Sequence, residues 1–164
     1  MIVRPGRPDD LPALTAIYNH FVQHSHATFD LEPFTVEGRR EWFGHYGATG
    51  PHRLLVAEVD GEVRGWATSG TFRTKPAYAR SVETTVYCDP AATGQGLGSA
   101  LYGELLAVLG GEDVHRAYAG VALPNDASVA LHERCGFRAA GTFREVGRKF
   151  GRWWDVRWYE RALP

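Results

Sequence analysis

Between residues 81 and 109 the chain reads SVETTVYCDPAATGQGLGSALYGELLAVL, a β-branched run, three glycines two apart and a leucine-rich run. This order constrains the fold more than any other stretch, because it asks for a strand, a tight loop and a helix in immediate succession. Leu97, Leu101 and Leu105, with Leu106, Val108 and Leu109, recur at helical spacing and give a core-facing stripe. The first N–H groups of such a helix lack intrahelical acceptors, and its dipole is positive at that end. Gly94, Gly96 and Gly98 leave this backbone open to a phosphate, and Ser99 adds a hydroxyl. The loop reads as a phosphate cradle or, alternatively, as a turn that only reverses the chain.

The common phosphate loops fit poorly. A P-loop ends in Gly-Lys followed by Ser or Thr, and no Lys or Arg follows here. A dinucleotide fingerprint has G-x-G-x-x-G after the first strand, whereas this loop is G-x-G-x-G in mid-chain. A nucleotide-dependent oxidoreductase is therefore the weaker reading.

The rest of the chain supplies short alternating elements. MIVRPG reads as a first strand, and DDLPALTAIYNHFVQ as a helix with Leu11, Leu14, Ile17, Tyr18 and Phe21 on one face. Asp9 is the expected N-cap, with Pro12 in the first turn. A second helix is expected near residues 35–46, and Asp60-Gly61 marks a hairpin between two β-rich runs. A strand follows over about 80–88, then the loop and its helix to about 109. HRAYAGVAL reads as a strand, NDASVALHERCGF as a short helix closed at Gly136, and two strands end the chain. The order is βααβββαβαββ, an α/β fold with one sheet, expected as a single domain over 1–164. Phe137 is expected to pack against the end of the short helix.

Composition narrows the function classes. Eighteen Lys and Arg against nineteen Asp and Glu leave a net charge of −1, giving no electrostatic case for nonspecific nucleic-acid binding. The first ten residues hold no signal-like apolar run, and no stretch approaches the roughly 20 apolar residues of a membrane span. A cytoplasmic protein is expected. Cys88 and Cys135 show no metal or redox spacing and read as buried thiols. His20, His24 and His26 have no acidic or Cys partner to complete a metal set. Trp153, Trp154 and Trp158 are expected in core or dimer contacts rather than nucleic-acid stacking.

Read with the loop, PNDASVALHERCGF at 124–137 resembles the second acyl-CoA motif of the GNAT N-acetyltransferases. The stretches YNHFVQHSHATFDLEPF, FRTKPAYARSVETTVYCDP and GRKFGRWWDVRWYE are similar to its phosphinothricin acetyltransferase-like branch, so the resemblance spans nearly the whole chain. It implies the GNAT fold, with a mixed, mostly antiparallel sheet flanked by helices. It implies acetyl-CoA as cosubstrate, held by Gln95, Gly96, Leu97, Gly98 and Ser99 at the pyrophosphate and by Asn125 and Ser128 at the pantetheine arm. It implies acetylation of the amine of phosphinothricin, methionine sulfone or methionine sulfoximine, and the aromatic C-terminal strand adds the expectation of a homodimer. Thr93 departs from the Arg or Gln usual at that position, with Gln95 inside the loop as a substitute. His132 stands where many members carry a tyrosine acid.

Acetyl transfer to an amine requires that the amine lose a proton and that the thioester carbonyl be polarised. Glu83 lies in the apolar run Val82 to Val86, where burial raises a carboxyl's proton affinity. It is the expected base and matches the branch's glutamate. By the same resemblance, backbone N–H groups near Val86 or Tyr87 receive the oxyanion. His132 either donates to the sulfur or packs. Arg73 and Lys75, with Arg80 nearby, are expected to hold an acceptor carboxylate, and Phe29 and Tyr78 its apolar wall. Other classes stay open: a protein N-terminal or polyamine acetyltransferase, and a non-catalytic acyl-CoA sensor.

Overall fold

The computed structural model describes residues 1–164. Its strands are β1 (Ile2–Pro5), β2 (Arg53–Val59), β3 (Glu62–Thr71), β4 (Ser81–Cys88), β5 (Arg116–Leu123), β6 (Arg138–Lys149) and β7 (Arg152–Ala162). The helices are α1 (Leu11–His24), α2 (Arg40–Gly44), α3 (Leu97–Gly110) and α4 (Asp126–Arg134). This is the element order expected from the sequence. One seven-stranded sheet runs β1-β2-β3-β4-β5-β7-β6. Only β4 and β5 pair in parallel. Parallel neighbours need a crossover, and α3 provides it.

The sheet buries both faces because its strands alternate. On β2, Leu55 and Ala57 join the larger core with Val82, Leu101, Leu105 and Leu109. Leu54 and Val56 point the other way, to Leu14, Ile17 and Trp66. Of the expected α3 stripe, Val108 is only half-buried, while Tyr102 is fully enclosed.

Turn chemistry sets the registers. Asp60 and Gly61 both adopt positive φ (52° and 81°), the two-residue hairpin turn expected between β2 and β3. Phe150 and Gly151 repeat this geometry at φ 53° and 72°, carrying β6 two residues past its expected end at Gly147. Gly136 (φ 79°) closes α4 and turns the 3%-exposed Phe137 back beneath it.

Two expectations are corrected. Asp10, not Asp9, organises the entry to α1, accepting the Arg7 N–H at 2.7 Å while Arg4 grips both carboxylate oxygens at 2.8 and 2.9 Å. Asp9 is exposed, because a 3-10 turn over Pro8–Asp10 precedes the helix and shifts the cap by one residue. The second helix is shorter than 35–46. A 3-10 turn over Glu37–Arg39 leads into only five α-helical residues, ended by Gly44.

Candidate active site

The sheet opens where β4 and β5 part. They are paired only at Ser81–Arg116, Val82–Ala117 and Glu83–Tyr118, although both continue for five residues more. β4 stays paired with β3 as far as Cys88, so from Thr84 onward its groups on the β5 side have no ladder partner. The Thr84 hydroxyl caps the break by donating to the Tyr118 carbonyl at 3.2 Å. A cleft of about 930 Å³ fills the gap.

β4 delivers the chain to the glycine loop through a braced corner. Asp89 accepts the Ala91 N–H at 2.9 Å and is held by Arg64 at 2.8 Å. Gly94 and Gly96 then take left-handed φ values of 80° and 77°, and a Cβ on either would meet no atom within 4 Å. Gly96 is the N-cap of α3, and the first helical bond runs from the Ala100 N–H to its carbonyl. The N–H groups of Leu97, Gly98 and Ser99 therefore lie free at the positive end of the dipole, on the cleft wall. That arrangement fits an acyl-CoA pyrophosphate. Gly98 has another function: its Cβ would stand 2.8 Å from Leu131 Cδ2, so it lets α3 pack closely on α4. The Thr93 hydroxyl donates to the Pro90 carbonyl at 3.1 Å, within the corner itself.

Across the cleft, Asn125 caps α4, its Oδ1 accepting the Ser128 N–H at 3.1 Å. Both residues line the cleft, as do Val86, Tyr87, Gly96, Leu97, Gly98 and Ser99. Gln95 does not. His132 is only 3% exposed, one turn further along α4. Its Nδ1 donates to the Ser128 carbonyl at 2.7 Å, which fixes the tautomer and leaves Nε2 to accept from the Tyr102 hydroxyl at 2.9 Å. Burial lowers its pKa, the Ser128 bond recovering part of the loss. Neutral and engaged at both nitrogens, it offers the cleft no proton.

Glu83 lines the cleft at the last paired rung. Burial pushes its carboxyl above the usual glutamate value, with the Arg73 charge pulling the other way. Burial likewise pushes the Tyr87 phenol up to about 12, and its hydroxyl donates to the Ala27 carbonyl at 3.3 Å. The Cys88 thiol, also desolvated, is pushed up to about 11, which keeps it protonated and a poor nucleophile. Cys88 and Cys135 are half-buried rather than buried.

The expected acceptor residues do not gather in this cleft. Phe29 packs beneath Gly147, where an added Cβ would collide with its ring at 2.1 Å. Lys75 and Tyr78 are exposed, because a 3-10 turn over Pro76–Tyr78 swings that segment outward. Arg73 is also exposed, stacked on Phe72 with 4.3 Å from guanidinium to ring centroid, and reaches Glu83 only through its charge. Around Tyr87 the cleft is lined instead by Tyr18, Phe34, Arg39, Trp42 and Trp66. No group of three or more His, Cys, Asp or Glu side chains converges as a metal site, and no helix is long and apolar enough to cross a membrane.

The model of the acetyltransferase (GNAT) family matches residues 14–137. The chain belongs to this family. A phosphinothricin N-acetyltransferase of Streptomyces coelicolor is 58% identical to it, over 98% of this chain and 95% of the relative. An L-methionine sulfoximine/L-methionine sulfone acetyltransferase of Pseudomonas aeruginosa is 33% identical, over 98% of this chain and 94% of the other. Among solved structures, a putative acetyltransferase from Salmonella typhimurium with its cofactor acetyl-CoA superposes with a TM-score of 0.95. It is 34% identical and covers 100% of this chain and 94% of its own. A GNAT superfamily phosphinothricin acetyltransferase from Sinorhizobium meliloti in complex with acetyl-CoA gives a TM-score of 0.92 at 30% identity, covering 99% and 88%.

Proposed function

We propose that this GNAT family member is an acetyl-CoA-dependent N-acetyltransferase. Its acceptor is the primary amine of a small amino-acid-like molecule of the phosphinothricin, methionine sulfone or methionine sulfoximine type. The break between β4 and β5 carries this reading: one cleft joins unpaired β4 backbone, a desolvated glutamate and the free N-terminus of α3. The named activities of relatives aligned over nearly the whole chain support the same choice.

In this reading Leu97, Gly98 and Ser99 donate backbone N–H groups to the pyrophosphate, with Asn125 and Ser128 beside the pantetheine arm. Glu83, directly or through one water, takes the proton from the acceptor's ammonium. The freed lone pair attacks the thioester carbon, and a β4 N–H at Val86 or Tyr87 receives the developing oxyanion. The attacking nitrogen, now cationic, gives its second proton to solvent, and collapse of that intermediate breaks the C–S bond. A thiol with a pKa of roughly 8.5, the cysteine value, leaves as thiolate and takes its proton from solvent. His132 holds the α4 side of the cleft in position. Arg73 stands at the Glu83 end as the basic group for an acceptor carboxylate.

The exposed Phe143, Val146, Phe150 and Trp153 on the β6–β7 hairpin, with β6 at the sheet edge, support a homodimer through that face. Dependence on acetyl-CoA supports a cytoplasmic setting for a single-domain enzyme. Thiol release from acetyl-CoA, assayed with phosphinothricin, methionine sulfone, spermidine and a peptide N-terminus, tests the function. Turnover is expected with the two amino acids. Turnover confined to spermidine or the peptide transfers the assignment to those acceptors, and tight acetyl-CoA binding without thiol release makes the chain a sensor.

A further inference from the structure

Arg39 closes the 3-10 turn ahead of α2 and is 4% exposed, yet it lines the cleft. Its central carbon stands 3.7 Å from the Trp42 ring centroid and 4.6 Å from that of Tyr18, with Phe34 and Trp66 at 5.6 and 5.8 Å. Its Nε has no hydrogen-bond partner. No carboxylate forms an ion pair with it. Asp30, the carboxylate that acts on it through space, instead accepts from the Tyr18 hydroxyl. Burial lowers its pKa, but an arginine stays charged at neutral pH. Aromatic faces recover only part of the cost of burying a cation, so this fork of donors lacks the anion that would complete it.

The register of the sheet locates that missing anion. Trp66 pairs with Tyr87, and Gly70 pairs with Glu83. Arg39 therefore stands at the Tyr87 rung, while Glu83 and Arg73 lie four residues back along β4, about 13 Å of strand. An acceptor amine held between these levels directs one substituent toward Arg73 and another toward Arg39.

We propose that Arg39, framed by Tyr18, Trp42 and Trp66, is a subsite for a second anionic oxyacid group on the acceptor, distinct from its α-carboxylate. The inference rests on the acetyltransferase reading and narrows its substrate class. A phosphinate offers two oxygens to the fork and a full negative charge. A sulfone offers two neutral oxygens and leaves the guanidinium without a counter-ion.

The test compares phosphinothricin with methionine sulfone, using the full chain, acetyl-CoA and thiol release. Arg39→Met is expected to raise KM for phosphinothricin about 100-fold and to change that for methionine sulfone less than about fivefold. Arg39→Lys, a point charge without the fork, falls between wild type and Arg39→Met for phosphinothricin. Equal changes for both acceptors, or none, would overturn the subsite and leave Arg39 as a packing residue. Should the variants fail to fold, wild type alone decides: KM at least about tenfold lower for phosphinothricin is expected, and an equal or reversed order overturns the proposal. A wild type that releases no thiol with any amine brings down the acetyltransferase reading instead.

Discussion

Replacing Tyr102 by Phe separates a structural His132 from a catalytic one. The hydroxyl that is removed lies 2.9 Å from His132 Nε2, in a side chain with no exposed surface. Because the Ser128 carbonyl can only accept, Nδ1 carries the ring hydrogen and Nε2 depends on Tyr102 as its donor. Thr84 loses little, since its hydroxyl lies 3.5 Å from Tyr102 but keeps the Tyr118 carbonyl at 3.2 Å. The phenyl ring also keeps its contacts with His132 and Phe137, at centroid distances of 5.1 and 5.7 Å. One buried acceptor is therefore orphaned, at a cost of about 2 kcal/mol from the usual 1–3. At 2–4 °C per kcal/mol for a chain of this size, the melting temperature should fall by roughly 4–8 °C. Calorimetry measures that. Thiol release well below the transition should show kcat within about threefold of wild type. A fall in kcat of about 100-fold with the melting temperature unchanged would refute the argument, and would make the Tyr102–His132 pair a proton route to the departing thiolate.

Other substitutions probe the base, the loop and the entry to α1. Glu83→Gln should lower kcat/KM by about 10²–10⁴. A base works deprotonated and burial raises the Glu83 pKa, so wild-type activity should fall with pH at a point above the usual glutamate value; the variant should lose that limb. Retention of the limb would point to a different base. Gly96→Ala puts a Cβ at φ 77° beside open space, so it should cost about 1–2 kcal/mol and raise KM for acetyl-CoA. Gly98→Ala pushes on Leu131 and should cost about 1–3 kcal/mol with a smaller change in KM; the opposite ranking of the two KM values would count against the cradle. At Asp10, burial raises the carboxyl pKa, but the hydrogen bonds from Arg4 and the Arg7 N–H outweigh it and hold the value below the usual range. A depressed folded pKa stabilises above the unfolded value and is lost as pH falls through the folded one. Asp10→Asn should therefore cost about 3 kcal/mol at pH 7 in denaturant titrations, a gap that closes below about pH 4. A gap independent of pH would exclude the ion pair as its source.

How much of this was legible in the sequence depends on the range over which each signal acts. The Asp60-Gly61 turn, the leucine period of α3 and the Gly136 stop of α4 are local, so residue type and spacing sufficed. The free β4 N–H groups near Val86 and Tyr87 were expected only through family resemblance, because nothing within SVETTVYC marks where its parallel neighbour departs. The glycines show the same limit within one loop. Gly94 and Gly96 serve the open cradle, yet Gly98 answers to Leu131, thirty-three residues away, and no local pattern distinguishes them. Charge was ambiguous for a related reason. Arg73 and Lys75 attract attention as a basic cluster before a strand, but clustered cations repel one another and turn to solvent; both are exposed, and only Arg73 acts on Glu83. Arg39 sits in EGRRE beside an exposed Arg40 that pairs with Glu37, and the two arginines are indistinguishable by composition. Only the packing of α1, α2 and β3 places one of them among four aromatic rings and leaves it without a carboxylate. The proposed acceptor subsite was therefore hidden in sequence by the same burial that leaves Arg39 without a carboxylate.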